Sequence, residues 1–281
     1  MAPSLKDLVR SFWEEEPCGT RGVELEEGTP AFFARLERDR NEREPFIPIF
    51  ARFAEQHGQR VLEVGVGPGT DFVRFARSGA IATGVDLTLH GVELTRRRLA
   101  LEGLDADVLQ ADAEHLPFDD DSFDFVYSWG VIHHTDNPEK AAGELMRVLR
   151  PGGRLCVMVY HRYSLVGLQS WLVNGLGKGR PWRSLRHIIW HHHESIGTRA
   201  YSISEARQLF PRMDDFRIAP VVTSYDVRFA RNRFLPKWAQ RMVPRRLGWF
   251  LVLQGQKPQG SSGLPFADYT HPNMSPEADR V

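Results

Sequence analysis

Glu63 is followed by glycines at alternate positions, Gly65, Gly67 and Gly69, in the stretch VLEVGVGPGTD (61–71). Val61, Leu62 and Val64 read as a short buried strand, and Phe72, Phe75 and Ala76 recur at helical spacing directly after it. A strand, a glycine-rich turn and a helix amino terminus let backbone approach a ligand closely. The same pattern also suits a plain tight strand-to-helix turn. It is not the G-x-G-x-x-G that a dinucleotide dehydrogenase places before its helix.

Further residues line up with that loop. Asp86 closes the next strand, about twenty residues on, where a carboxylate accepts from both hydroxyls of a ribose. Asp112 follows the third strand, placed to accept from an adenine amino group, with the backbone of Ala113 and Glu114 facing ring nitrogens. Ser128 and Trp129 end the fourth strand on the same side. Alone, each acid is an ordinary turn or cap residue; the order and spacing make the set specific.

The elements that must position them alternate from residue 60 onward. Strands are expected at 81–86, 105–110, 122–129 and 154–160, with helices at about 89–102 and from the Asn137–Pro138 start to about 149. Nearly continuous apolar strands between helices predict an α/β, doubly wound, mostly parallel sheet. Leu165, Leu168, Leu172 and Leu176 mark an amphipathic helix, SISEARQLF a short helix capped by Ser204, and 216–226 and 247–256 two closing strands. The expected organisation is an amino-terminal helical lid (1–58), a ligand-binding domain (59–256) with an inserted cap (161–210), and a disordered tail (257–281). A helix packed on the side of the sheet is the alternative to a lid.

Lys plus Arg and Asp plus Glu both number 36, so the net field points to neither nucleic acid nor membrane. Two distant cysteines, Cys18 and Cys156, form no metal spacing and suit a reducing compartment. The start MAPSLKDLVR lacks the apolar core of a secretory signal, and no run is long enough to span a bilayer, so a cytoplasmic location is expected.

Together, VLEVGVGPGTD, GVDLT, ADAEHLPFDDDSFDFVYSWGVIHHT and ELMRVLRPGG resemble class I S-adenosylmethionine-dependent methyltransferases, in the small-molecule group with ubiquinone/menaquinone and sugar O-methyltransferases. The resemblance is strong over 60–160 and weak to about 256. It implies a Rossmann-like sheet of seven strands, the last antiparallel, with S-adenosylmethionine across the carboxyl ends of strands one to four and S-adenosylhomocysteine as product. It places Glu63, Gly65, Gly67, Gly69, Thr70, Asp86, Leu87, Asp112, Ala113, Glu114, Ser128 and Trp129 around that cofactor. His133 and His134 are implied as base or orienter, and Tyr160 and His161 should project into the same mouth.

The expected reaction moves a methyl group to an O or N, with carbon also open, of a small-molecule acceptor; a macromolecular or lipid acceptor, a nicotinamide-dependent oxidoreductase and a non-catalytic cofactor-binding module are the alternatives. His187, His191, His192, His193 and Glu194 are expected to pack near the substrate rather than bind metal, and no metal site is expected. RLERDRNERE (35–44) and the acid-free stretch 228–246 read as solvated charged faces, the latter also suiting an anionic acceptor, lipid or RNA. The chain is expected to act as a monomer or homodimer.

Overall fold

Ser4 opens the first helix as a cap. Its hydroxyl accepts from the Asp7 amide while the Asp7 carboxylate takes the Ser4 amide, closing the start of α1 (Leu5–Glu15). The computed structural model describes residues 3–230, 233–234 and 237–260. Pro17 ends any continuation of α1. Thr29 caps α2 (Pro30–Arg43), and the short α3 (Ile47–Ala51) leads toward the sheet.

The alternation then follows the expected order: β1 (Arg60–Val64), α4 (Phe72–Arg77), β2 (Ile81–Asp86), α5 (Leu89–Glu102), β3 (Asp107–Gln110), β4 (Phe123–Trp129), α6 (Pro138–Val148) and β5 (Leu149–His161). Strand β5 starts earlier than its apolar run, at Leu149, which pairs with Phe123 before the register shifts across Pro151-Gly152-Gly153 to Arg154. The inserted segment holds α7 (Leu165–Asn174), α8 (Leu185–His192), a two-residue β6 (Ala200–Tyr201) and α9 (Ile203–Gln208). Ser202, not Ser204, caps α9: its hydroxyl takes the Glu205 amide and Glu205 reaches back to the Ser202 amide. The cap-to-Glu spacing of three is what selects the earlier serine. Then come β7 (Asp214–Val221), a small hairpin of β8 (Arg228–Ala230) and β9 (Arg233–Phe234), α10 (Lys237–Met242) and β10 (Phe250–Gln256).

Seven strands run in the order β3-β2-β1-β4-β5-β10-β7, with β6 paired to the end of β5. Pairings β3-β2-β1-β4-β5 are parallel, and β10 is antiparallel to both β5 and β7. The mostly parallel seven-stranded reading therefore holds. Neighbours in β1 alternate between two cores: Val61 packs with Phe72, Phe75 and Val92, while Leu62 packs with Ala141, Leu145 and Val148. Helices cover both faces, so burying Leu62 completely contributes about 1.5–3 kcal/mol. After β1 the chain walks outward to β3, and β4 returns to the other side of β1. That reversal opens a crevice at the carboxyl ends of β1 and β4, where sheets of this kind take ligands.

Two expectations shift at the edges of this body. The charged run at 35–44 is not all solvated: Leu36 and Glu44 are buried, and Arg40 makes inward ion pairs. Lys257, placed in the tail, is buried with its ammonium on Asp121 and on the Met146 and Leu149 carbonyls, so packing extends to that residue. Residues 261–281 of the expected tail, and part of the basic stretch at 228–246, lie outside the described residues.

Candidate active site

Gly65, Gly67 and Gly69 all take positive φ, 85°, 50° and 74°. The three serve different ends. A Cβ on Gly65 would sit 2.1 Å from Val131, and one on Gly69 would meet the Thr95 side chain at 2.9 Å, so these two let the loop seat against its neighbours. At Gly67 the nearest atom would be Cys18 Cβ at 4.0 Å, leaving that backbone open toward the ligand side. Asp86 Oδ2 accepts the Gly67 amide at 2.8 Å, and Oδ1 takes the Thr88 amide and hydroxyl at 2.9 and 2.6 Å. The carboxylate thus fixes the loop and still has one lone pair, on Oδ2, to offer. Burial raises its pKa against those three bonds.

A cavity of about 410 Å³ opens over this crevice. Of the expected cofactor residues, Gly65, Gly67, Asp86, Leu87, Asp112, Ala113, Glu114 and Trp129 line it. Glu63, Gly69, Thr70 and Ser128 do not; they stand behind the wall. Glu63 and Ser128 are buried there, each with an oxygen that finds no hydrogen-bond partner, Oε2 and Oγ respectively. Burial lifts the Glu63 carboxyl well above the usual range, with Asp71 adding to it and Arg40 opposing.

The amino-terminal segment supplies wall that sequence reasoning left without roles. Lys6, Val9 and Trp13 of α1 line the cavity, with Cys18, Arg21, Arg40 and Glu44. Lys6 Nζ lies 2.6 Å from Asp112 Oδ2 and 3.1 Å from Glu114 Oε2. Arg40 joins Asp71 at 2.6 Å and Glu44 at 3.2 Å, while Trp129 Nε1 donates to Glu44 at 3.0 Å. The helix is pinned at its other end too: Glu14 takes the Leu89 and His90 amides at the start of α5. Apart from Arg40–Glu44, four residues apart, these contacts join residues far apart in the chain, so no periodicity signals them.

At the opposite end of the cavity stand His134, Tyr160 and Glu194. His134 sits on a 3-10 turn after β4, with Nε2 3.3 Å from Glu194 Oε2, and the Tyr160 hydroxyl donates to the same oxygen at 2.8 Å. Ser195 Oγ and Thr198 Oγ1 lie 3.0 and 3.2 Å from His134 Nδ1. Thr198 already donates its proton to the Ser195 carbonyl, so at Nδ1 it can only accept. Ser195 is then the hydroxyl that donates to Nδ1, which leaves Nε2 as the N–H facing the Glu194 carboxylate. Burial works to raise the Glu194 pKa, yet the His134 contact, the neighbouring His193 and the Tyr160 hydroxyl hold it down at about 2. Glu194 adopts φ 52°, a left-handed backbone that costs a non-glycine residue about 1–3 kcal/mol and concentrates at functional sites.

Two expected residues do not reach the cavity. Tyr160 and His161 are neighbours on β5, and side chains alternate faces along a strand. Tyr160 faces the cavity; His161 points away, its Nδ1 3.0 Å from the Gly248 carbonyl oxygen. His133 is fully buried beneath Tyr160, ring centroids 4.1 Å apart, with neither nitrogen partnered. Burial, then the neighbouring His134, keep it neutral. In the histidine-rich segment, His192 and His193 line the cavity with Glu194; His187 and His191 stack on each other, 4.2 Å apart, outside it. Trp249, Phe250, Tyr225 and Trp129 complete an aromatic chamber, Trp249 stacking on Tyr160 at 4.3 Å.

Residues 62–157 match the family model described as a methyltransferase domain. The chain is 35% identical to methyltransferase GfsG of Streptomyces halstedii, over 50% of this chain and 52% of that protein. It is 41% identical to the demethylmenaquinone methyltransferase of Clavibacter sepedonicus, over 36% of this chain and 40% of that one. It is 42% identical to phthiotriol/phenolphthiotriol dimycocerosates methyltransferase 1 of Mycobacterium ulcerans, over 54% and 60%. The chain thus spans about half the length of the curated relatives it matches.

Among solved structures, the [4+2]-cyclase SpnF aligns with TM-score 0.56 at 20% identity, over 92% of this chain and 98% of its own. A SAM-dependent methyltransferase from Methanosarcina mazei aligns at 0.53 and 19%, over 75% and 98%. These two speak to the fold alone. Residues 62–157 are therefore a methyltransferase domain, set in the class I, S-adenosylmethionine-dependent fold. The family and the fold imply S-adenosylmethionine as cofactor. The residues fit it: an open Gly67 backbone, Asp86 with a lone pair still free on Oδ2, and the partnerless Glu63 and Ser128 oxygens behind the loop.

Proposed function

We propose that this chain moves a methyl group from S-adenosylmethionine to an oxygen or nitrogen of a small, flat, largely apolar acceptor. The observation that carries this is a single cavity. One end is walled by Gly67, Asp86 and Asp112, the other by Tyr160, Trp249, Phe250 and the Glu194–His134 pair.

In this reading Asp86 holds the ribose, Asp112 with the Ala113–Glu114 backbone holds the adenine, and Glu63 and Ser128 steady the loop and strand end behind the methionine moiety. The bound cofactor supplies an already activated methyl, so orientation carries much of the rate, on the order of 7–11 kcal/mol in favourable cases. Trp249, Phe250 and Tyr225 stack against the acceptor and exclude water. Glu194, the more exposed of the pair, accepts the acceptor's hydroxyl or amino hydrogen, and the His134 Nε2–H behind it holds the carboxylate in place. Such a base contributes roughly 10²–10⁴-fold. The 1–58 segment acts as a lid, with Lys6 and Trp13 its inner face, and the reaction is assigned to the cytoplasm.

Incubating the purified chain with methyl-labelled donor and a cell extract, then searching by mass spectrometry for a labelled product, tests this. A labelled small molecule is expected. Label on protein, nucleic acid or lipid overturns the acceptor class, and cofactor binding without any product makes the chain a binding module.

A further inference from the structure

Helix α7 buries only Val166 and Gly167. Leu168 and Leu172, four residues apart and so on one side, stand 47 and 44% exposed, with Val173 at 64% and Leu176, in the 3-10 turn just past the helix, at 51%. The apolar stripe read from the sequence is therefore turned away from the sheet. Trp182, on the way to α8, is 77% exposed, and Trp238 and Met242 on α10 are 62 and 73% exposed. Single exposed apolar residues are ordinary; a cluster of this kind is not.

Its electrostatic setting is one-sided. Residues 161–193 and 227–256 contain no Asp or Glu. Lys178, Arg180, Arg241, Arg245 and Arg246 are exposed, and among the described residues none of the five makes an ion pair. Helices α7 and α10 both pack on the 3-10 turn Ser224–Val227, whose Tyr225 lines the cavity, as does Val166 in the first turn of α7. The exposed leucines, tryptophans and cations thus flank the acceptor end of the cavity.

We propose that α7, the Lys178–Trp182 loop and α10 form a docking face for an anionic lipid surface. Tryptophan seats at the headgroup level, leucine and methionine enter the acyl boundary, and lysine and arginine meet the anionic headgroups. No helix among the described residues is long and apolar enough to cross a membrane, so the attachment is peripheral. A nucleic acid would use the cations but leave Leu168, Leu172, Val173 and Leu176 in water, which favours lipid. Docking in this pose brings the cavity's acceptor end to the bilayer, and an acceptor dissolved in lipid enters without crossing water. The inference does not depend on methyl transfer.

The test is co-sedimentation of the full chain with vesicles of phosphatidylcholine alone or mixed in equal parts with phosphatidylglycerol. Binding to the mixed vesicles at least about tenfold stronger than to the neutral ones is expected, falling with added salt. Lys178→Glu with Arg180→Glu should weaken it by more than about twentyfold, since each cation near the surface is worth roughly fivefold. Trp182→Ser with Trp238→Ser should release the protein at unchanged charge. Both variants should keep the parent's thermal midpoint, which separates lost docking from lost folding. Absence of binding to anionic vesicles overturns the proposal. So does binding that ignores the tryptophan changes and is displaced by single-stranded RNA, or a concentration-dependent dimer in which these tryptophans are covered.

Discussion

Lys6 Nζ lies 2.6 Å from Asp112 Oδ2, joining the first helix to the carboxylate at the end of β3. The two residues are 106 positions apart, and their contact closes α1 over the Asp112 side of the cavity. Lys6 is partly solvated, so the pair itself contributes only about 0–1 kcal/mol. Lys6→Met should therefore change cofactor affinity by less than about fivefold, while cofactor release, followed by stopped-flow fluorescence, speeds up more than association. Unchanged release would mean that α1 is held elsewhere.

Asp86 serves both the loop and, in our reading, the ribose. Asp86→Asn keeps an acceptor for Thr88 and loses the charge. We expect S-adenosylmethionine to stop raising the thermal midpoint, with the unliganded midpoint falling by what a lost charged hydrogen bond costs, about 1.5–3 kcal/mol. A ligand-induced shift equal to that of the parent would remove Asp86 from the cofactor site.

Glu194 and His134 form the base of the proposed reaction. Glu194→Gln should lower kcat by roughly 10²–10⁴-fold with KM for the cofactor unchanged, and Glu194→Asp should restore part of it. His133→Ala is a control of a different kind: a buried, neutral ring outside the cavity should cost stability, about 2–5 kcal/mol by analogy with other large-to-small core changes, and leave the pH–rate profile in place. A shifted profile in His133→Ala would return that residue to the chemistry.

His90 gives the first helix a pH dependence. Its Nδ1 lies 2.8 Å from the Glu14 carbonyl oxygen and its Nε2 2.7 Å from Glu27 Oε1, two acceptors that only the doubly protonated ring can satisfy. Burial lowers its pKa, but the Glu14 and Glu27 bonds outweigh that and raise it above 6.5. A raised folded-state pKa contributes stability that is whole below about 6.5 and lost as pH climbs through the folded value. Limited proteolysis within residues 3–28 should accelerate over that window, and His90→Gln should flatten the dependence. Equal cleavage rates at pH 6 and pH 8 would refute the clasp.

The alternation of strands and helices and the glycine loop were legible because they rest on local pattern: the apolar run of β1, the helix face of α6, the glycines at alternate positions that take positive φ. What escaped was set by pairing across the chain. Glu194 looked like the end of a histidine run, and only the fold shows it against His134, 60 positions away. Ser204 was the expected cap of α9, and the Glu205 contact puts the cap at Ser202. His161 followed Tyr160 into the expected site by adjacency, where strand geometry sends neighbours to opposite faces. Lys6 carried no motif at all.

The brief pairing of β6 with Tyr160 and His161 means that the excursion after β5 leaves the sheet and returns to it at one seam. Beyond that seam β5 and β10 remain in register from Tyr160 to Arg154 whatever the excursion contains. A change in the length or makeup of that excursion would therefore reshape the chamber wall at His192–Glu194 while the strands from β3 to β4 keep their pairing.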